Sequence, residues 1–477
     1  MTMTRLRARR SIAVLLGLLL VAAACGGDDD GGGGGGGDVG GATASDADCP
    51  VDALDDAQGP VDITFWHGMV ARNEEILQTL TDEYNSSQDK VRVRLVYQGT
   101  YDDTAEKFEN GVRSGEGLPQ LVQLEETRLQ FAIDSQAMLP AQACVDAEDY
   151  DLSDHLPAVI DEFTVDGALW PMPFNVSNPV LYYVKPVFEQ AGLDPDDPPS
   201  TFDELREASQ KLVDSGAARA GLALELSPWY VEQWFAQENQ PFVDNDNGRS
   251  ARAETTNLDS DLGRQIYEFL DGLLSDGLAR SVGRNPRGVD HLLALAQGDA
   301  AMTIGTSAAI GPAIAVIRSG EFDLTEQDVG IAPLPSPTAD PPGGTLVGGA
   351  SLYLVAQGNS DEQRAATWDY AKFLNDPETQ ARWSETGYIP IRESAVDLDP
   401  VPQLWQQTPG YKVAYDQILA SHTDFGGPVI GAYFDVREAV VKSLERMFQE
   451  NQPPEDAART ADEEAEQEMQ DYNSRSG

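Results

Sequence analysis

The stretch VDITFWHGMVARNEEILQTLTDEYNSSQDKVRVRL (61–95) decides the fold. Val61, Ile63 and Phe65 alternate with polar residues, the period of a strand with one buried face. Residues 73–84 then read as a helix, and Val91-Arg92-Val93-Arg94-Leu95 returns to period two. A helix over about 101–114 and a strand over 121–124 repeat the pattern. Strands alternating with helices predict an α/β protein with a mostly parallel sheet.

Further along, a second α/β region begins near Pro173. Thr201 and Glu204 flank Phe202-Asp203 as a capping box, after which Leu205, Ala208, Leu212 and Val213 share one helix face. Helices over 259–274 and 289–297, a short strand over 301–304 and a Pro/Gly-rich loop over 333–344 follow. A strand over 349–356 and a helix over 361–374 come next, and the acidic end, 437–450 and 454–472, reads as helical. No internal repeat is visible.

Upstream, Arg5, Arg7, Arg9 and Arg10 precede an apolar centre over 12–21 and the small residues Ala22-Ala23-Ala24. These are the parts of an export signal over 1–24; the run is too short for a membrane anchor that stays in place. Small residues before Cys25 resemble the bacterial lipobox, in which the cysteine takes a lipid, although Ala22 stands where that pattern favours Leu. The alternative is a secreted protein with a spare thiol. Residues 25–48 are dominated by Gly and Asp and predict a flexible tether with a reach on the order of 25 Å. Cys49 and Cys144 remain as an even pair in an oxidising compartment, read as a disulfide, with two buried thiols as the alternative.

The 477 residues carry 32 basic and 80 acidic side chains; loss of the four arginines in 1–24 leaves 28 against 80, a net charge of −52. That charge excludes nucleic acid and anionic membrane surfaces as natural partners. An anionic ligand would need a local cation to overcome the general field.

Several strings resemble family 1 bacterial extracellular solute-binding proteins: Thr64-Phe65-Trp66-His67-Gly68-Met69, Pro171-Met172-Pro173-Phe174-Asn175, Gln297-Gly298-Asp299-Ala300-Ala301-Met302 and Gly348-Gly349-Ala350-Ser351-Leu352. Gly99-Thr100-Tyr101, Phe174-Asn175-Val176-Ser177 and Thr386-Gly387-Tyr388-Ile389-Pro390 are similar to the glycerol-3-phosphate-binding branch of that family. The match spans about residues 60–450. It implies a two-lobed, periplasmic-binding-protein-like α/β fold with discontinuous lobes and a cleft between them. The crossings are expected near 171–178, 298–303 and 345–350. One lobe would comprise 49–172 and 303–347, the other 173–302 and 348–477.

The resemblance also implies a ligand site. Tyr101 and Glu126 match a phenol and a carboxylate that accepts hydroxyl hydrogen bonds, with Glu125 as the choice if the alignment slips by one. Ser177, Thr306 and the adjacent Ser307 fall on hydroxyl donors. Gly349 matches a glycine whose N–H approaches phosphate, and Tyr388 a ligand-facing phenol. Arg437 matches the phosphate-binding arginine, whose guanidinium offers two parallel charge-assisted bonds. Phe202, where relatives have Trp, and Trp229 would supply aromatic wall able to meet a glycerol face or a choline head.

The expected function is a lipid-anchored, extracytoplasmic substrate-binding component of an ABC importer. It would capture sn-glycerol-3-phosphate or a glycerophosphodiester such as glycerophosphocholine and deliver it to the permease. An oligosaccharide binder is the alternative within the same class. No cofactor or metal is expected, no contact with the membrane beyond the Cys25 lipid, and a monomer. His67, His155, His291 and His422 stand singly, and no metalloprotease, P-loop or nucleophile-elbow motif occurs, so an enzyme is not expected. A secreted hydrolase with a carboxylate dyad is the remaining alternative.

Overall fold

Ile63, Phe65 and His67 are buried along β1 (Val61–His67), while the residues between them stay more exposed, as period two dictates. The computed structural model describes residues 48–285 and 288–476. The export signal, Cys25 and all but the last residue of the tether lie outside the described residues.

The strands continue as β2 (Val91–Tyr97), β3 (Leu121–Glu125), β4 (Met138–Leu139), the hairpin pair β5 (Thr164–Val165) and β6 (Ala168–Leu169), then β7 (Met172–Ser177) and β8 (Pro179–Val184). They end with β9 (Leu222–Glu225), β10 (Ala279–Gly283), β11 (Met302–Thr306), β12 (Val329–Pro333) and β13 (Gly348–Val355). One sheet has the order β2-β1-β3-β13-β4, with β7 also on β13; the other has the order β10-β9-β11-β8-β12. Each sheet carries its own core, Phe65, Leu124 and Leu352 in the first and Leu181, Phe202 and Trp234 in the second. The chain is therefore two-lobed. Both sheets are mixed, because β13 runs antiparallel to β3 and β8 antiparallel to β11 and β12.

The chain crosses at Asn178, between β7 in the first sheet and β8 in the second, so 173–177 builds on the first lobe and not on the second. The other boundaries also differ from expectation. β11 and β12 pair with β8, so 303–347 builds on the second lobe, and β13 pairs with β3, so the chain has returned to the first lobe by residue 348. No crossing occurs at 298–303, since helix Asp290–Ala296 packs on β9 and β11 of one sheet. The return runs through 334–347. Helix Asp361–Asn375 covers the first sheet, helix Gly410–Ala420 packs on β12, and the two last helices, Tyr433–Glu450 and Pro454–Ser476, join helix Asp261–Ser275 of the second lobe. β8 is buried at all six positions and β13 at seven of eight, so neither strand shows an alternation that could assign it to a sheet.

Local expectations fare better. Helices Ala71–Ser87 and Tyr101–Ser114 occupy the places read from the sequence. The box at Thr201 is half formed: its Oγ accepts from the Glu204 N–H at 3.2 Å, but the Glu204 carboxylate accepts from the Ser200 N–H at 2.8 Å instead of from Thr201. No described helix is long and apolar enough to cross a membrane.

Cys49 and Cys144 form the expected disulfide, with Cα atoms 4.9 Å apart. It ties the start of the body to helix Ala141–Glu148 of the first lobe across a separation of 95 residues. Replacing both cysteines by alanine should lower the unfolding free energy by about 4.7 kcal/mol, the entropy of so long a loop. Urea titration checks this, and an unchanged midpoint would show that the bridge adds no stability.

Candidate functional site

Strand ends and the loops that leave them meet between the two sheets, which is where open α/β folds place ligands. Tyr101 opens the helix after β2, Glu125 and Glu126 end and follow β3, Ser177 ends β7, Thr306 ends β11 and Gly349 sits at the start of β13. With Trp229, Tyr388 and Arg437 they line a cavity of about 300 Å³. Eight of the ten ligand residues expected from the sequence are thus brought together. A groove of about 370 Å³ adjoins it, sharing Glu125, Glu225 and Arg437 and adding Asp102, Arg128, Arg284 and the exposed Phe434. A further cavity of about 400 Å³ lies between helices Ile310–Arg318 and Gly410–Ala420, but none of the expected residues borders it.

Arg437 lies in the first turns of its helix, which starts at Tyr433. Its Nε and Nη2 donate to the two oxygens of Glu232 at 2.9 and 2.7 Å, and Nη2 also reaches Glu126 at 3.3 Å. The guanidinium lies over the Tyr433 ring, 4.7 Å from its centroid. Glu232 has no exposed side-chain surface, so its charge is matched by Arg437. Burial opposes the charge on Arg437, but Glu232, Tyr433 and Glu126 together outweigh it and raise the pKa well above the ordinary arginine value. Nη1 donates to none of the described residues, so the fork is clamped on one edge and uncommitted on the other.

The Tyr101 and Tyr388 hydroxyls are 3.1 Å apart, and Tyr101 Oη lies 2.8 Å from the Asn175 side-chain amide. No described residue bonds the Ser177 hydroxyl. Thr306 Oγ1 accepts from the Ala308 N–H at 3.3 Å and caps a short turn. Gly349 has φ of 113°, and a Cβ there would lie 2.1 Å from the Asn175 carbonyl oxygen, so only glycine fits. Its N–H donates to Glu126 at 3.1 Å. In this structure a carboxylate occupies that donor, where the resemblance implied a phosphate.

Two expected residues lie elsewhere. Phe202 is buried in the second lobe's core, stacked on Phe269 at 3.8 Å and edge-on to Trp234, so it offers no face to the cleft. Ser307 is fully buried; its Oγ accepts from the Asn178 N–H at 3.1 Å and pins the interlobe crossing. Both are framework residues. Sequence reasoning pairs Tyr230 with Trp229 as aromatic wall, and Tyr230 lines the cavity; it misses Glu232, Glu225 and His291. Glu232 stands three residues after Trp229 on helix Pro228–Gln237, so helical spacing could have suggested it. Glu225 accepts from Tyr230, five residues on, and from Asn285, which only the fold brings near.

The lining is acid-rich. Burial and the neighbouring Glu126 push the Glu125 carboxyl up to about 8, against the pull of Arg437 and Arg128. Burial likewise raises Glu126, opposed by Arg437. His291, beside Glu225, is shifted down by burial. No cluster of described residues has the makings of a metal site.

Residues 79–413 match the family model described as bacterial extracellular solute-binding protein. The sn-glycerol-3-phosphate-binding periplasmic protein UgpB of Rhizobium meliloti (strain 1021) is 29% identical over 375 residues, covering 76% of this chain and 83% of the relative. UgpB from Mycobacterium tuberculosis, solved in complex with glycerophosphocholine, superposes with a TM-score of 0.69 at 22% identity, covering 88% of this chain and 99% of that one. The sugar-binding protein MalE from Xanthomonas citri superposes with a TM-score of 0.73 at 19% identity, covering 87% and 99%. With a two-lobed α/β body, a polar cleft at the strand ends and a family match over most of its length, this chain belongs to the bacterial extracellular solute-binding proteins.

Proposed function

We propose that the chain captures a glycerophosphoryl compound, sn-glycerol-3-phosphate or a glycerophosphodiester such as glycerophosphocholine, for an ABC-type importer. The observation that carries this reading is the Arg437 guanidinium lining the cleft, with one edge clamped by Glu232 and Nη1 uncommitted. A phosphate oxygen at that edge gains charge-assisted bonds. Hydroxyls of Tyr101, Ser177, Thr306 and Tyr388 border the same space and can share the remaining oxygens. Glu126 keeps lone pairs for glycerol hydroxyls, and the Trp229 ring can cover an apolar face. The names of the relatives from R. meliloti and M. tuberculosis support the same cargo. In this reading the chain is a monomer, acts by binding and not by catalysis, and is held outside the cytoplasmic membrane by a lipid on Cys25 while it delivers cargo to the permease.

An oligosaccharide is the second reading. It is favoured by the acids Glu125, Glu126 and Glu225 beside Trp229 and Tyr230, a lining that suits sugar hydroxyls and ring faces, and by the likeness to MalE. Calorimetry with glycerol-3-phosphate, glycerophosphocholine, maltose and maltotriose separates the two. Heat from a glycerophosphoryl compound alone is expected, and heat from the maltose series alone would transfer the cargo to sugars. Arg437→Lys keeps the charge but loses the fork, and should weaken glycerophosphoryl binding by more than about tenfold; wild-type affinity would remove the arginine from the site.

Glu232→Gln deprives Arg437 of its buried counter-ion and should cost roughly 3 kcal/mol of stability in urea unfolding. Adding Arg437→Met should restore part of that loss, since both charges are then gone. Equal stability of the wild type and Glu232→Gln would mean that the clamp contributes nothing.

A further inference from the structure

Among the described residues Arg437 is the one lysine or arginine that lines the cavity, and its charge is already answered. Glu232 holds one edge at 2.7 Å and Glu126 approaches Nη2 at 3.3 Å, while Glu225 borders the same space. Glu125 borders both the inner cavity and the outer groove, and no described residue donates a hydrogen bond to its carboxylate or pairs with it. An anion arriving at Arg437 would enter a group whose described members are negative overall.

We propose that Glu125 is a ligand-contacting, specificity-determining residue that carries a proton when an anionic cargo sits at Arg437 and donates it, as an O–H···O hydrogen bond, to an anionic oxygen of that cargo. This rests on the anionic-cargo reading given above. Protonation does two things at once: it removes a negative charge from the cavity and turns an acceptor into a donor. The proton comes from solvent, and no covalent bond of the cargo changes.

The surroundings favour the protonated acid. From its own segment Glu125 faces Glu126 and Arg128, from the helix after β2 Tyr101 and Asp102, and from the loop after Thr386 the phenol of Tyr388. Arg437 approaches from the penultimate helix and Glu225 from β9. Arg128 is engaged by Asp102 at 3.2 Å and Glu109 at 3.5 Å. In the outer groove Arg284 is held by Glu438 and Glu445 at 2.9 and 2.7 Å. Arg284 is thus committed elsewhere, and Arg128 pulls on Glu125 without pairing with it. Burial, with Glu126 beside it, places the Glu125 titration at about 8, whereas Tyr101 and Tyr388 are shifted upward and His291 downward, away from that window.

The pH dependence therefore has a definite sign. Below about pH 8 the acid already holds its proton, and affinity is flat. Above it each captured anion must bring a proton from solvent, and affinity falls by up to about tenfold per pH unit. The test is calorimetry on the full chain with glycerophosphocholine, a diester with no titration in this range, at pH 7 and pH 9 in buffers of different ionisation enthalpy. The expected result is a Kd about tenfold higher at pH 9, with close to one proton taken up there and almost none at pH 7. In Glu125→Gln, whose amide donates at every pH, the ratio of the two Kd values should collapse to about one. A pH-independent wild-type Kd with no buffer dependence of the heat overturns the proposal, and so does proton uptake that persists in Glu125→Gln. Absence of binding at either pH is a different result, which removes the glycerophosphoryl cargo and this assignment with it.

Discussion

The clamp of Arg437 by Glu232 is the constraint around which the cleft is arranged. A guanidinium taken out of water must be paired, and a carboxylate with no exposed side-chain surface must be paired more strictly still. Helices Pro228–Gln237 and Tyr433–Glu450 meet to bring the two together, and Tyr433 lies beneath the guanidinium. The result is a rigid fork whose inner edge belongs to the protein and whose outer side belongs to the cleft. That geometry makes the arginine a directional element, unlike a surface charge free to rotate.

Glu126 gives the same arginine a second role. It follows β3 of the first lobe, whereas Arg437 stands on a helix packed into the second, so their contact spans the cleft. The other Glu126 oxygen receives the Gly349 N–H, which links the contact to β13. In the proposed reading a cargo oxygen meets the Nη1 edge, beside this interlobe contact.

Much of this is legible in the residues themselves. The alternation at Val61, Ile63 and Phe65, the helix that follows and the strand from Val91 are all set by local period, because burial of one face is a local demand. Cys49 and Cys144 can be read as a pair once Cys25 is assigned to the lipid. Tyr101, Ser177, Tyr388 and Arg437 follow from ordered motifs resembling a family. What the residues hide is non-local. Phe202 reads as a cleft wall, yet it stacks on Phe269, a partner on another helix. Ser307 reads as a ligand hydroxyl, yet it fastens Asn178. β11, β12 and β13 read into the wrong lobes, since strand pairing joins residues far apart along the chain.

By itself, then, the sequence determined the α/β class, the positions of most strands and helices, the disulfide and the identity of the cleft arginine, all of which follow from nearest-neighbour periodicity, residue type or motif order. The tertiary structure alone decided which sheet each strand completes, which carboxylates surround Arg437 and which of its edges faces the cleft. Those depend on side chains that are distant along the chain and adjacent in space, such as Glu126, Glu232 and Arg437, whose charges interact only once packing has excluded the water between them.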